Sequence, residues 1–171
     1  WFDSSISLLG LVDNIGAAQS MGFEIDSQII LSDRLSATFA FAKNDAVLTE
    51  NYVLRGNTEA YKDQDLPFTP DTKGNIGLTA EISDTSRIDF NYAFVAGMYN
   101  DLFFDDREFQ DSYGIGNLSY TMDVSDQASI QLYFDNVFDE VAELYINSED
   151  IQRLTTVNRP RTFGIKYSWK M

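Results

Sequence analysis

The side chains best able to do chemistry in this sequence are carboxylates, and they gather in one stretch. Residues Tyr99–Asp111 read YNDLFFDDREFQD, and the acidic members are Asp101, Asp105, Asp106, Glu108 and Asp111. Oxygen ligands of this kind bind hard cations such as calcium. The spacing lacks the ordered pattern of a calcium-binding loop. We therefore favour a solvated acidic loop over a metal site.

Catalytic constellations are scarce, because the chain contains no histidine and no cysteine. Their absence excludes Ser-His-Asp and Cys-His nucleophiles as well as histidine-ligated zinc. Paired carboxylates such as Asp105 and Asp106 lie in a loop-like stretch with no apolar pocket residues framing them. The sequence therefore predicts a protein that is not an enzyme, with no cofactor and no metal site.

Aromatic and basic residues in the loop-like stretches are candidates for contact with a ligand. The exposed aromatic pair Phe103 and Phe104 costs free energy unless it packs against protein or binds a ligand. Packing against a neighbouring loop is the favoured use. Guanidinium and phenol groups donate hydrogen bonds to an anionic chelate. The candidate ligand contacts are Tyr52, Arg55, Tyr61, Phe103, Phe104 and Arg107.

Composition limits the class of protein. The 171 residues fit one domain, and 27 acidic side chains against 12 basic ones give a net charge of -15. Nucleic acid is therefore not an expected partner, because phosphate binding needs a basic face. No apolar run approaches the ~18 residues of a membrane-spanning helix.

Alternation with a period of two predicts β-strands along the chain. The last strand is the clearest: Phe163, Ile165, Tyr167 and Trp169 share one face, and smaller or polar residues share the other. Seven strands are predicted, over residues 23–31, 35–42, 75–82, 87–94, 118–124, 129–135 and 163–171. Gly114 and Gly116 are expected to form kinks just before the fifth strand. Residues 1–9 are a poorly patterned eighth.

The connections between these strands alternate strictly between short and long. The short ones each contain Ser-Asp, which suits tight turns: Leu31–Arg34, Ile82–Ser86 and Val124–Gln127. The long ones are Asn44–Thr72, Tyr99–Asp111 and Asp139–Arg159. Outer-membrane barrels sort their connections in this way, with short periplasmic turns and long extracellular loops.

A soluble antiparallel barrel or sandwich is the alternative, with its apolar face turned inward. Two features favour an apolar face that points outward, toward lipid. The second face mixes small and polar residues as a wet lumen does, and Tyr and Trp gather near strand ends as in interfacial girdles. The lipid-facing residues of the last strand would then be Phe163, Ile165, Tyr167 and Trp169.

Four stretches in order carry a family resemblance: NIGAAQSMGFEID (Asn14–Asp26), LPFTPDTKGNIGL (Leu66–Leu78), DNVFDEVAELY (Asp135–Tyr145) and RPRTFGIKYSW (Arg159–Trp169). Together they resemble the carboxy-terminal part of TonB-dependent outer-membrane receptors. The resemblance implies an all-β antiparallel transmembrane barrel segment in the outer membrane of a Gram-negative bacterium. Residues 1–171 would be the carboxy-terminal portion of a barrel of about 22 strands, without its plug domain and amino-terminal strands.

The same resemblance implies partners and a function. The partners would be outer-membrane lipid, the plug domain of the full-length protein, the TonB energy-coupling complex and a small-molecule ligand. That ligand would be a ferric siderophore. Cobalamin and an oligosaccharide are the alternative ligands. The alternative is a complete eight-stranded barrel with a structural or adhesive role. The long connection ending in LPFTP favours the receptor.

Overall fold

A computed structural model describes residues 2–3, 11–12, 17–54, 57–102, 108–147 and 153–170. They contain strands and turns. No helix in these ranges is long and apolar enough to cross a membrane.

Seven antiparallel strands form one sheet, which confirms the predicted fold class. They are β3 (Ala18–Ser32), β4 (Leu35–Leu48), β7 (Thr72–Ser83), β8 (Ser86–Val95), β11 (Tyr113–Ser125), β12 (Ala128–Asp135) and β15 (Thr162–Trp169). Their spatial order is β15-β12-β11-β8-β7-β4-β3, so each strand lies beside its neighbour in the sequence of long strands. This up-and-down order is that of a barrel wall.

Within the described residues, eight short strands lie outside this sheet in four separate pairs. They are β1 (Phe2–Asp3) with β2 (Leu11–Val12), β5 (Tyr52–Leu54) with β6 (Asn57–Ala60), β9 (Met98–Tyr99) with β10 (Phe109–Gln110), and β13 (Glu143–Asn147) with β14 (Leu154–Val157). The strand expected over residues 1–9 is described only at Phe2–Asp3, which pairs with β2. Residues 1 and 4–9 lie outside the described ranges.

The three Ser-Asp connections are two-residue turns built in the same way. Each turn follows a serine whose hydroxyl oxygen accepts a hydrogen bond from the backbone amide two residues later. The three bonds are all 3.3 Å long and join Arg34 to Ser32, Thr85 to Ser83 and Gln127 to Ser125. The pairing register shifts just before each turn. The prediction of tight turns at Ser-Asp is confirmed.

Three long connections leave the opposite end of the sheet, and we name them loop A (residues 49–71), loop B (residues 96–112) and loop C (residues 136–161). Each contains one of the short hairpins. Loop A is shorter than expected, because β4 runs on to Leu48. The predicted alternation of short turns and long loops is confirmed.

The two faces of the sheet differ in chemistry at every strand pair. Along one row, Leu78, Phe90, Leu118, Phe134 and Phe163 are neighbours from strand to strand. The opposite face carries Glu24, Lys73, Asn75, Thr79, Arg87, Asp89, Asn91, Asn117, Ser119, Gln131 and Lys166. We call these the apolar face and the polar face.

Buried apolar side chains do not lie on the apolar face. Within the described ranges they are Ala46, Leu48, Tyr52, Ala60, Leu102, Ala142 and Ile146, which belong to the loops and to the outer end of β4. On the apolar face Ile165 is 64 % exposed, since no second layer of described residues covers it. A soluble sandwich would bury this face. The arrangement favours a wall that meets lipid.

The expected kinks at Gly114 and Gly116 are wrong. Strand β11 is continuous from Tyr113 to Ser125 and pairs with β8 through both glycines. The missing side chains make room for neighbouring aromatic rings instead: an added Cβ would meet the ring of Tyr92 at Gly114 and that of Phe138 at Gly116.

Candidate functional site

The polar face carries a network of side-chain hydrogen bonds. The amide of Asn75 donates to Asn91 at 3.1 Å and receives a bond back at 3.0 Å. Asp89 accepts from the hydroxyl of Thr79 at 2.9 Å and from the guanidinium of Arg87 at 3.0 Å. Such a surface suits water or a polar partner inside a barrel.

The loops are packed together at their bases. Leu48 and Ala60 are fully buried with Tyr52 and with Leu102 of loop B, and Leu66 packs against this cluster. The backbone amide of Phe68 in loop A donates to the carbonyl oxygen of Tyr99 in loop B at 2.9 Å. Loops A and B therefore form one packed unit over the outer end of the sheet.

Loop C joins this unit through an aromatic contact. The rings of Phe68 and Tyr145 stack with centroids 6.3 Å apart and planes 8° from parallel. Both side chains remain about half exposed, at 50 % and 47 %. Exposed aromatic surface of this kind is available to a ligand.

The start of loop C is fixed by Asn136, which is buried and has a left-handed φ of 53°. Its side-chain amide donates to the carbonyl oxygens of Glu140 at 2.8 Å and Arg159 at 3.2 Å. Its oxygen accepts from the Glu140 amide at 2.9 Å. Asp139 has a φ of 57°. Asparagine and aspartate tolerate this conformation best among residues with a side chain.

An ion pair closes the hairpin of loop C. Both terminal nitrogens of Arg153 donate to the carboxylate oxygens of Glu143 at 2.6 Å. The hydrogen bond and charge of Arg153, together with a bond from Thr155, hold the pKa of Glu143 below its usual value, although burial acts in the opposite direction. The same hydrogen bond raises the pKa of Arg153.

Loop A carries an acidic group at its base. Partial burial, followed by the neighbouring carboxylates of Asp71 and Asp45, raises the pKa of Asp65. Asp71 also lies 3.5 Å from the ammonium of Lys43. In the parts of the chain that the structure describes, no group of three or more Asp or Glu side chains is arranged to hold a metal ion.

The predicted ligand contacts divide into three groups. Tyr61 lies on the surface of loop A and is 60 % exposed, whereas Tyr52 is 6 % exposed and packs inside the loop cluster. Arg55, Phe103, Phe104 and Arg107 lie outside the described residues. The role of this set in ligand binding stays a prediction.

Two features of the loops have no local signal in the sequence. Phe68 and Tyr145 are far apart in sequence, and nothing in their spacing indicates that they stack. The hydrogen bonds of Asn136 depend on loop C returning to Arg159. The left-handed turn itself has a local signal in the DNVFD stretch, because Asn and Asp, here Asn136 and Asp139, favour turns.

The predicted lipid-facing residues share the apolar face of β15. Phe163, Ile165, Tyr167 and Trp169 pair with Phe134, Leu132, Ile130 and Ala128 of β12. All four are exposed. A two-faced antiparallel wall, with tight turns at one end and packed loops at the other, defines the class: a segment of an outer-membrane β-barrel.

The particular family follows from comparison with known proteins. The family described as "TonB dependent receptor-like, beta-barrel" matches residues 3–137. The chain therefore belongs to the β-barrels of TonB-dependent receptors, which are transporters of the Gram-negative outer membrane and not enzymes. No curated protein matches the chain.

Solved structures have the same fold at low sequence identity. The ferric yersiniabactin uptake receptor of Yersinia pestis is 19 % identical with a TM-score of 0.76, over 91 % of this chain and 24 % of that one. The ferric citrate transporter FecA is 17 % identical with a TM-score of 0.72, over 89 % and 24 %. The ferric-catecholate import receptor Fiu of Escherichia coli K12 is 17 % identical with a TM-score of 0.70, over 89 % and 21 %. The chain thus spans about a quarter of their length.

Proposed function

We propose that this chain is the carboxy-terminal wall of an outer-membrane receptor that takes up a ferric siderophore by TonB-driven transport. The observation that carries the proposal is the two-faced seven-stranded wall of a TonB-dependent receptor barrel, roofed at one end by packed loops. Iron-chelate receptors among the similar structures support the ligand class.

The polar face supports a plug domain as the partner inside the barrel. Amide pairs such as Asn75 with Asn91, and charged groups such as Asp89, need water or polar protein as neighbours. A plug of the same full-length protein supplies such a surface. The TonB complex would then act on that plug from the periplasm.

The loops support ligand capture. Tyr61 is exposed on loop A, and the exposed stack of Phe68 and Tyr145 spans loops A and C. Together with Arg55 and Arg107 they would offer aromatic and guanidinium groups to an anionic chelate. The buried Tyr52 would stabilise loop A by packing against Leu48, Ala60 and Leu102 in its base.

The small eight-stranded barrel is the less favoured candidate on the described part of the chain. Among the described residues the wall is an open sheet of seven strands, ordered from β15 to β3 with no pairing between these two. A small complete barrel would close on itself.

Uptake of labelled ferric chelates by iron-starved cells tests the proposal. Deletion of the full-length gene should abolish uptake of one siderophore class, and the intact gene should restore it. Equal uptake of every ferric chelate with and without the gene would contradict the proposal.

A matched pair of variants tests the loop contacts. Arg55→Gln should weaken binding of the transported chelate about tenfold, because hydrogen bonds to charged groups are strong. Lys62→Gln removes a nearby exposed cation from the same loop and should leave binding unchanged. If both variants weaken binding equally, Arg55 contributes only its charge and makes no specific contact with the chelate.

A further inference from the structure

A recess of about 880 Å³ lies at the outer end of the apolar face. The rings of Tyr92, Phe94 and Phe138 form its walls, and Gly114 lies between them. Ser112 and Glu140 lie at its edge, on loops B and C. The recess therefore combines an aromatic interior with a polar rim.

Glycines let the rings lie close to the backbone of the wall. Gly74, Phe94 and Gly114 are neighbours across β7, β8 and β11. A Cβ added to Gly74 would meet the ring of Phe94, and one added to Gly114 would meet that of Tyr92. The rings of Phe94 and Tyr92 therefore lie directly against the backbone of the wall, where they line the recess.

Loop C holds the third wall in place. A Cβ on Gly116 would meet the ring of Phe138, which also lies edge-on to Tyr92 at a centroid distance of 6.0 Å. The left-handed turn at Asn136 directs the chain back toward the wall, and its side chain bonds both backbone groups of Glu140. These contacts hold the Phe138 wall of the recess against strand β11.

We propose that this recess seats one acyl chain of an outer-leaflet lipid. It is continuous with the apolar face, which meets lipid in this family of barrels. It lies at the loop end of strands β8 and β11, which places it at the level of the outer leaflet. Three aromatic walls fit a hydrocarbon chain, and the polar rim stands at the level of the lipid head group.

The test uses the full-length receptor, purified in a mild detergent with lipid A, the acylated lipid of the outer leaflet, and examined by native mass spectrometry. The wild-type protein should retain one lipid more tightly than all others. Gly114→Leu displaces the ring of Tyr92 from the backbone into the recess, and it should lower that retention about tenfold. Ala80→Leu adds the same side chain to the same face, between Leu35 and Ile88 and away from the recess, and should not change it.

Phe138→Ala provides a second variant, which removes a wall without adding bulk. It should also lower retention about tenfold, while heat-modifiable migration on gels verifies that each variant is folded. If folded Phe138→Ala and Gly114→Leu retain the same lipid as the wild type and Ala80→Leu, the recess does not bind an acyl chain.

Discussion

Asn75 and Asn91 face each other diagonally across β7 and β8, and each side-chain amide donates to the carbonyl oxygen of the other, at 3.1 and 3.0 Å. One position along each strand, Ile76 pairs with Tyr92 on the opposite face. Paired amides on one face and exposed apolar side chains on the other are the arrangement expected of a wall between a polar lumen and lipid.

Exchanging a residue of each face should therefore give unequal effects. Asn75→Ala removes one amide from a wet face and should cost about 1 kcal/mol or less of folding free energy, since water replaces the lost partner. Ile76→Asn places an amide in lipid and should cost about 2 kcal/mol or more. Urea titration of the full-length protein folded into liposomes measures both. Equal costs would contradict the assignment of the faces.

Asn136 should be among the most sensitive loop positions. Asn136→Ala loses the hydrogen bonds to Glu140 and Arg159 and places Ala at a φ of 53°, so it should destabilise loop C by about 2–4 kcal/mol. Asn136→Gly keeps the backbone conformation and should recover about 1 kcal/mol of this. Asn51→Ala is the control, because it removes an exposed side-chain oxygen in loop A that accepts a hydrogen bond from the backbone amide of Lys62. Amide hydrogen exchange in loop C measures the effect. Equal exchange in both Asn136 variants would rule out backbone strain.

The hairpin of loop C should open in acid. The folded-state pKa of Glu143 is lowered, so its ion pair stabilises the hairpin above the ordinary value of 4.5 and is lost as pH falls through the folded value. Spin labels at Leu144 and Leu154, on the two strands of the hairpin, should separate on acidification. In Glu143→Gln the distance should be the same at neutral and acid pH, whereas Glu59→Gln should behave as the wild type. A wild-type hairpin that stays closed at a pH at which the Glu143 carboxylate is shown to be protonated would show that the pair contributes little.

Chemical labelling on intact cells tests which end of the wall faces outward. Cysteines introduced singly in the full-length protein at Lys62, Asp111 and Leu154 of the loops should react with an impermeant thiol reagent. Cysteines at Asp33, Asp84 and Asp126 of the turns should react only after the outer membrane is breached. The chain contributes no cysteine of its own to the background. Mixed labelling within either set would contradict the sorting of the connections.

Strands and turns were predictable because their signals are local. Alternation in Phe163–Trp169 places side chains on faces directly, and Ser-Asp marks each turn through a bond within three residues. The extension of β4 to Leu48 was not predictable, since it depends on pairing with Ala18 across the sheet. Likewise, Gly114 is covered by a ring from another strand. Contacts between loops, such as Phe68 with Tyr145, depend on the whole assembly.

Variants of the closing strand β15 distinguish most clearly between two interpretations of the sheet, a lipid-facing wall and a soluble core. Ile165 and Lys166 are adjacent and lie on opposite faces of the sheet. Ile165 pairs with Leu132 on the apolar face, and Lys166 pairs with Gln131 on the polar face. Ile165→Arg should cost ~2–4 kcal/mol and impair assembly of the full-length barrel, whereas Lys166→Gln should be nearly silent. A soluble core would also reject arginine at Ile165, so these variants need a direct measure of lipid contact.

Quenching by the bilayer itself provides that measure. A small fluorophore is attached singly at Ile165 or at Lys166 of the full-length protein, in liposomes whose acyl chains carry a quencher. Strong quenching at Ile165 with little at Lys166 is the result that a lipid-facing wall predicts. Equal quenching at both positions, or none at either, would show that this strand does not line a membrane barrel.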